Sequence, residues 1–299
     1  MKNVISCDQY TKQSLEELFE LTDKIVMDPK NYSKALDGKI VAVMFYEPST
    51  RTRLSFESAI QRLGAKMICT ENAKVDSSAI KGESLTDTIR VIQGYSDAIV
   101  LRHGAVDSSE QAVRVADVPI INAGSGSGEH PTQALLDIYT IRQNRSSLNN
   151  LKVVIMGDLL YGRTIPSFIK LLSLYENIKI YGLSKKEFAL SQKYIDYLNE
   201  KNIKYKVCSG FQDIPDDIDV FYHTRIQSER FEGDYGKEKY ILNKEILKRF
   251  SSNAMILHPL PRNGEISVDI DDDPRTLFFK QAHNGVAVRM AILLQLLNN

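Results

Sequence analysis

Ser49, Thr50, Arg51, Thr52 and Arg53 stand in one unbroken run, STRTR. Hydroxyls and guanidinium groups at that density are donors for an anion, and the planar fork of arginine matches phosphate oxygens. An apolar segment, IVAVMFY (40–46), precedes the run and ends at Glu47-Pro48. A helical pattern follows, with Phe56, Ala59, Ile60 and Leu63 on one face and Gly64 as its stop. A strand therefore delivers the donors to a helix N-terminus. Unpaired backbone N–H groups and the positive end of the helix dipole favour negative charge there. A capped helix with two solvated arginines is the bland alternative. The five consecutive donors shift the balance toward phosphate.

The other candidates are scattered along the chain. Arg102 and His103 follow the apolar segment DAIVL, Arg163 follows KVVIM and the turn GDLLYG, and Arg225 and Gln227 follow DVFY. Each lies beyond the carboxyl end of a predicted strand. Any one such arginine is commonly an ion-pair partner, but three in equivalent places suit a ligand with several carboxylate or phosphate groups. His130, Pro131 and Gln133 open a predicted helix. A cation is disfavoured at a helix start, so a neutral imidazole that can donate to a carbonyl oxygen is expected at His130; a histidine satisfied by backbone is the alternative. In HPLPR (258–262) two prolines flank Leu260 and fix the direction of its carbonyl, and a cis bond before Pro261 fits a turn. A merely rigid loop fits the same residues. The segment 71–84 has neither helical nor strand period and reads as an exposed loop. Lys81 is its candidate, with Ser77 four residues earlier. A loop lysine is ordinarily just solvated, although long loops of small residues often cover sites. No Ser-His-Asp or Cys-His signature supplies an enzyme nucleophile.

Positioning these groups requires a particular scaffold. Predicted strands at 39–46, 66–70, 97–101, 119–122, 152–156, 178–183, 204–208, 219–222 and 254–257 alternate with predicted helices. The helices are expected at 11–27, 52–63, 84–94, 107–116, 131–143, 163–175, 187–199, 242–249 and 284–297. The alternation implies an α/β fold with two domains, each a central parallel sheet flanked by helices and joined by interdomain helices. Ligands in such sheets sit beyond the carboxyl ends of the strands. The Gly/Ser stretch AGSGSGEHP (123–131) interrupts the pattern near the middle. The helix that opens at Pro131, with Ala134, Leu135, Ile138 and Ile141 as its apolar face, is the expected connector. The expected domains are 1–130 plus 285–299, and 131–284, with the last helix packing back onto the first. Ligand sites favour the cleft between such domains.

Composition excludes several functions. Of 299 residues, 43% are apolar and 25% charged, as in an ordinary soluble globular protein with two domains. Lys+Arg and Asp+Glu are 38 each, so no global field draws nucleic acid or membrane, and an anion must be held by a local cluster. Cys7, Cys69 and Cys208 are isolated, which argues against a zinc site and a disulfide framework. No metal and no cofactor are expected. The start lacks the apolar stretch of a signal peptide and no run is long enough to cross a bilayer, so the cytoplasm is the default.

Taken in order, STRTR with LSFE, KGESLTDT, HPTQALLD, YGRT, TRIQ and HPLPR resemble the motifs of the carbamoyltransferase family, over essentially the whole length. The resemblance is to the aspartate branch. Ornithine-specific members carry a cysteine in a matching HCLP motif and an SMG motif; this chain has Leu260 after His258-Pro259 and no SMG. The resemblance implies transfer of the carbamoyl group of carbamoyl phosphate to the α-amine of L-aspartate, giving N-carbamoyl-L-aspartate and phosphate, in pyrimidine biosynthesis. It implies that Ser49, Thr50, Arg51 and Thr52, helped by Arg102, bind the phosphate. Thr52, Arg102 and His130 would hydrogen-bond the carbonyl oxygen, and Gln133 and the Leu260 carbonyl, with Pro261 in the same loop, would orient the amino group. Arg163, Arg225 and Gln227 would grip aspartate, as would Lys81, which with Ser77 would reach in from a neighbouring subunit. That makes the expected active unit a homotrimer with shared sites, open to regulatory chains in a larger assembly. Leu160 departs from the pattern, since some relatives carry lysine there; its loss bears on an interdomain or regulatory contact. Rival readings are a carbamoyltransferase for another acceptor such as ornithine, a dinucleotide-dependent dehydrogenase and a non-catalytic phosphometabolite-binding protein. GxGxxG is absent from MGDLLYG, which counts against the dehydrogenase.

Overall fold

The computed structural model describes residues 2–71, 73, 78–227 and 241–298. The chain divides into two units, Met1–Leu136 with His283–Asn299, and Asp137–Ala282.

In the first unit, β1 (Ile40–Phe45), β2 (Lys66–Thr70), β3 (Ala98–His103) and β4 (Ile120–Ser125) form a parallel sheet in the order β2-β1-β3-β4. Parallel neighbours need crossovers. The described helices of this unit include α1 (Lys12–Met27), α2 (Thr50–Arg62), α3 (Leu85–Ile92) and α4 (Ser108–Val113). The central strands β1 and β3 are apolar nearly throughout and buried, as a sheet covered on both faces demands. The edge strand β2 is mostly exposed and begins at Lys66, a charge that blunts an open edge. From β1 the chain crosses to β2 on one side and then back past β1 to β3 on the other. That reversal opens a crevice at the carboxyl ends of β1 and β3. Register places Phe45 opposite Arg102, so STRTR and Arg102 leave the sheet at the same end.

The second unit repeats the device. Strands β5 (Lys152–Met156), β6 (Lys179–Leu183), β7 (Lys204–Cys208), β8 (Val220–His223) and β9 (Met255–Leu257) run parallel in the order β7-β6-β5-β8-β9. Helices α6 (Thr164–Leu172), α7 (Gln192–Glu200) and α8 (Lys244–Leu247) belong to this unit. Here the reversal falls between β5 and β8, with Met156 opposite His223, so the loops carrying Arg163 and Arg225 leave from adjacent strand ends. Phe221, Ile256, Leu242, Phe250 and Phe278 are among the residues packed in its core. The division between units falls within α5 (Pro131–Arg142) and within α9 (Phe278–Leu297).

Besides trimmed ends, such as the expected helix 242–249 reduced to Lys244–Leu247, three elements differ from expectation. Helix α2 begins at Thr50, not 52, so Thr50, Arg51 and Thr52 form its first turn. The expected helix 187–199 splits into a short 3-10 turn, Lys186–Phe188, and α7, because Ala189 and Ser191 are extended. Helix α9 begins at Phe278, six residues before the expected start at 284, running straight through His283-Asn284-Gly285. Gly285 is tolerated there because the Arg289 guanidinium occupies the space of the missing side chain: a Cβ would lie 2.3 Å from Arg289 Nη1. Among the described residues no helix is long and apolar enough to cross a membrane.

Candidate active site

The site of the first unit is built on two helix starts. Ser49 occupies the N-cap position of α2 in extended conformation, but its hydroxyl makes no cap hydrogen bond. The usual use of serine at such a position is to satisfy a helix N–H. The α2 terminus therefore presents backbone N–H groups, the Ser49 and Thr50 hydroxyls and Arg51 together. Thr52 points inward and is buried, with Oγ1 3.3 Å from His130 Nε2. His130 stands immediately before α5, where its carbonyl accepts from Gln133 N (3.0 Å) and Ala134 N (3.2 Å). The contact joins residues 78 positions apart. The glycine-rich turn before α5 makes it possible. Gly126 adopts φ +48 and donates its N–H to the His103 carbonyl at 2.9 Å. A Cβ there would meet the Gly104 carbonyl oxygen at 2.6 Å, so only glycine lets the turn lie this close to the β3 loop.

Arg102, at the end of β3, is buried; Nη1 donates to the Ala123 carbonyl at 3.4 Å and Nε lies 3.7 Å from Glu47 Oε2. Gln133, in the first turn of α5, is buried as well. Arg53 behaves differently from its neighbours. Its guanidinium is engaged by Glu57 at 2.7 Å and Glu71 at 3.0 Å, so the fifth donor of the run is committed to an ion-pair cluster.

In the second unit one buried carboxylate ties the two site loops together. Asp158 Oδ1 accepts from Leu160 N (3.1 Å) and Tyr161 N (2.8 Å), and Oδ2 accepts from Gln227 N (3.2 Å). Gln227 Nε2 adds a bond to the Tyr161 carbonyl at 2.9 Å. Thr224 Oγ1 accepts from Asp158 N at 3.2 Å, beside Gly157 at φ +107. A Cβ on Gly157 would lie 2.0 Å from the Thr224 carbonyl oxygen, so the loops after β5 and β8 cross in near contact. Arg163, at the start of α6, and Arg225 are half-buried on those loops. Two guanidiniums carried by loops with a common anchor can hold a dianion at defined spacing.

The HPLPR loop follows β9. Leu260–Pro261 is cis, as its turn position suggested, and Leu260 has φ 56. Leu260 N donates to His258 Nδ1 at 2.7 Å, and His258 Nε2 meets Glu265 Oε1 at 2.8 Å. Burial works to raise the Glu265 carboxyl, but the hydrogen bond from His258, with backbone N–H help, holds it below the usual carboxylate range. Deeper in, Tyr222 OH donates to Asp137 Oδ2 at 2.7 Å. Burial, then the Asp137 charge, pushes the Tyr222 hydroxyl far up, so it remains a donor.

Lys81 lies exposed on the 3-10 turn Ser78–Lys81. Ser77 falls outside the described residues. Leu160 is 38% exposed, its N–H on Asp158. Pro261 is exposed and Leu260 half-buried. Sequence reasoning missed Asp158, His258, Glu265 and Arg289. Arg289 is buried in α9 with its guanidinium 5.0 Å from the Phe56 ring centroid, and Nη2 is 3.5 Å from Thr132 Oγ1, which braces α2 and α5. A buried arginine inside an apolar helix was the available signal, since such charges are retained only with partners.

Residues 2–143 match the aspartate/ornithine carbamoyltransferase, carbamoyl-P binding domain, and residues 149–296 match the Asp/Orn binding domain of the same family. The aspartate carbamoyltransferase catalytic subunit of Clostridium novyi is 45% identical over 300 residues, covering 99% of this chain and 98% of the relative. A solved structure of the M. jannaschii aspartate transcarbamoylase catalytic subunit is 46% identical with TM-score 0.91, covering 99% of this chain and 98% of that one. The Trypanosoma cruzi aspartate transcarbamoylase, solved in complex with carbamoyl phosphate and aspartate, is 33% identical with TM-score 0.92, covering 99% and 97%. The two sheets, with their donor-bearing ends, and these likenesses agree: the chain belongs to the aspartate/ornithine carbamoyltransferase family, among its aspartate carbamoyltransferase catalytic chains.

Proposed function

We propose that this chain transfers the carbamoyl group of carbamoyl phosphate to the α-amine of L-aspartate, the committed step toward pyrimidines. The observation that carries the reading is the pairing of Thr52 Oγ1 with His130 Nε2 at 3.3 Å, beside a helix start whose N-cap serine leaves its hydroxyl off the helix. Ser49, Thr50, Arg51 and Thr52 hold the phosphate on the α2 terminus, with Arg102 contributing from the adjacent strand. The amine attacks the carbonyl carbon and negative charge builds on its oxygen. Thr52, Arg102 and His130 stabilise that oxygen, and each such donor is worth about 3 kcal/mol. The C–O bond to phosphate then breaks, and the departing phosphate takes the amine proton. Gln133, with the Leu260 carbonyl and Pro261 loop, orients the carbamoyl amino group. Arg163, Arg225, Gln227 and Lys81 take the two carboxylates of aspartate. Holding both reactants in line supplies roughly 7–11 kcal/mol. In this assignment 1–130 with 285–299 is the carbamoyl-phosphate-binding domain and 131–284 the aspartate-binding domain.

The acceptor follows from charge. Guanidiniums at 163 and 225 suit a dicarboxylic acid and repel a cationic side chain. Assay of the purified protein with labelled carbamoyl phosphate tests this: aspartate is turned over and ornithine is not. Turnover of ornithine in preference to aspartate overturns the assignment.

We read the active unit as a cytoplasmic homotrimer in which Ser77 and Lys81 complete a neighbouring subunit's site, with room for regulatory chains. Mixing inactive Lys81→Ala chains with inactive Arg51→Ala chains then restores partial activity through hybrid trimers. Verified subunit exchange without recovery argues against shared sites.

A further inference from the structure

The Leu260 carbonyl is aimed by a buried histidine. Leu260 N–H donates to His258 Nδ1 at 2.7 Å, so that nitrogen carries a lone pair and the ring proton sits on Nε2. The Nε2–H donates to Glu265 Oε1 at 2.8 Å, and Glu265 Oε2 is in turn held by Asn263 N at 2.7 Å. A carboxylate there accepts from Nε2–H and so selects the tautomer that Leu260 requires. The main chain of His258 is anchored separately. Its N–H donates to Gln281 Oε1 at 2.9 Å, Gln281 Nε2 donates to Asp137 Oδ1 at 2.6 Å, and Tyr222 holds the other Asp137 oxygen at 2.7 Å. His258 itself is 1% exposed. Leu260 sits at φ 56, a region a leucine rarely adopts, and its N–H bond to His258 holds it there.

We propose that His258 is a positioning residue for the carbamoyl group, acting through the Leu260 main chain, with Glu265 fixing its tautomer. The inference rests on the proposed function, in which the Leu260 carbonyl accepts from the carbamoyl amino group. No bond is made or broken at the imidazole. Its role is to hold one carbonyl in the orientation that selects an amino-bearing acyl phosphate. Inorganic phosphate has no amino group and makes no use of that carbonyl.

The difference between the two ligands is the test. His258→Asn sets an amide oxygen near the place of Nδ1, whereas His258→Leu offers no acceptor. The expected result for His258→Leu is a KM for carbamoyl phosphate raised about tenfold with a lower kcat, the scale of one lost hydrogen bond. The inhibition constant of inorganic phosphate stays unchanged, and His258→Asn recovers most of the loss. An equal rise in both constants, or an unchanged KM with only a lower Tm, overturns the proposal. If His258→Leu does not fold, Glu265→Leu and Glu265→Gln make the same comparison, since only glutamine keeps an acceptor for Nε2–H; identical kinetics for the two overturn it. A wild-type protein that fails to turn over carbamoyl phosphate and aspartate overturns the proposed function and this inference with it. Normal wild-type turnover with variants indistinguishable from it overturns this inference alone.

Discussion

The two site-bearing sheet ends solve the same problem by different means. At the end of β1 the donors are consecutive residues on a helix terminus, and the backbone of α2 supplies both the orientation and part of the charge. At the ends of β5 and β8 the groups come from loops more than sixty residues apart, pinned by Asp158 through contacts such as the 3.2 Å bond from Gln227 N. A helix terminus positions its side chains with its own hydrogen bonds. Crossed loops need an internal anchor. Function and stability should therefore be separable in the first unit and coupled in the second.

The largest expected effect tests the first half of that contrast. Arg51 is exposed, so Arg51→Ala should lower kcat/KM by about 10³-fold, the scale of losing charge-assisted donors to a phosphate, with the thermal midpoint unchanged. Steady-state kinetics with a parallel melt decide it, and a destabilised variant breaks the contrast. Next, Asp158→Ala removes a buried acceptor of three backbone N–H groups. A stability loss of about 3 kcal/mol is expected. The aspartate KM should rise at least about tenfold, the scale of a 1.4 kcal/mol change. Carbamoyl phosphate KM should move little; if both KM values rise together, the anchor is not local to the acceptor loops. Gly157→Ala should cost about 2 kcal/mol through the clash with Thr224 and the left-handed φ, read from urea midpoints. A neutral Gly157→Ala means that the loops do not need their close crossing.

The smallest effect concerns acid. The Glu265 carboxyl lies below its ordinary value of about 4.5 in the folded chain, so its contribution to stability is present above that value and is lost as pH falls through the folded one. Glu265→Gln should therefore be slightly less stable than wild type near neutrality and have a flatter acid limb, the two proteins converging as pH falls. Denaturant midpoints measured from neutral pH down to about pH 3.5 read the difference. An acid limb identical to wild type removes Glu265 from that titration.

Much of the first unit's site was legible because its chemistry is local. STRTR announces a strand-to-helix donor cluster without any knowledge of the fold, and β1 and α2 stand close to where periodicity puts them. Arg53 shows the limit of that reading: the same residue type, two positions from Arg51, is taken by Glu57 and Glu71, and the Glu71 partner comes from a distant loop. In the second unit Arg163 and Arg225 could be suspected only from their places after strands. Asp158, between Gly157 and Leu160 in an ordinary turn sequence, carried no signal, because its partners at Thr224 and Gln227 are remote in the chain. The start of α9 was missed for a related reason. The expected helix opens with the apolar run from Asn284, and the polar residues Lys280, Gln281 and His283 hid the six residues before it, among them Gln281, whose partners His258 and Asp137 are remote in the chain.

The order and type of the elements, the family and the STRTR donor cluster were written in consecutive residues, because hydrophobic period and helix capping act over a few positions. The pairing of Thr52 with His130, the anchoring role of Asp158 and the tautomer of His258 were not. Each depends on which strand lies beside which and on how closely two backbones pass, and a parallel sheet decides that by joining segments distant in sequence.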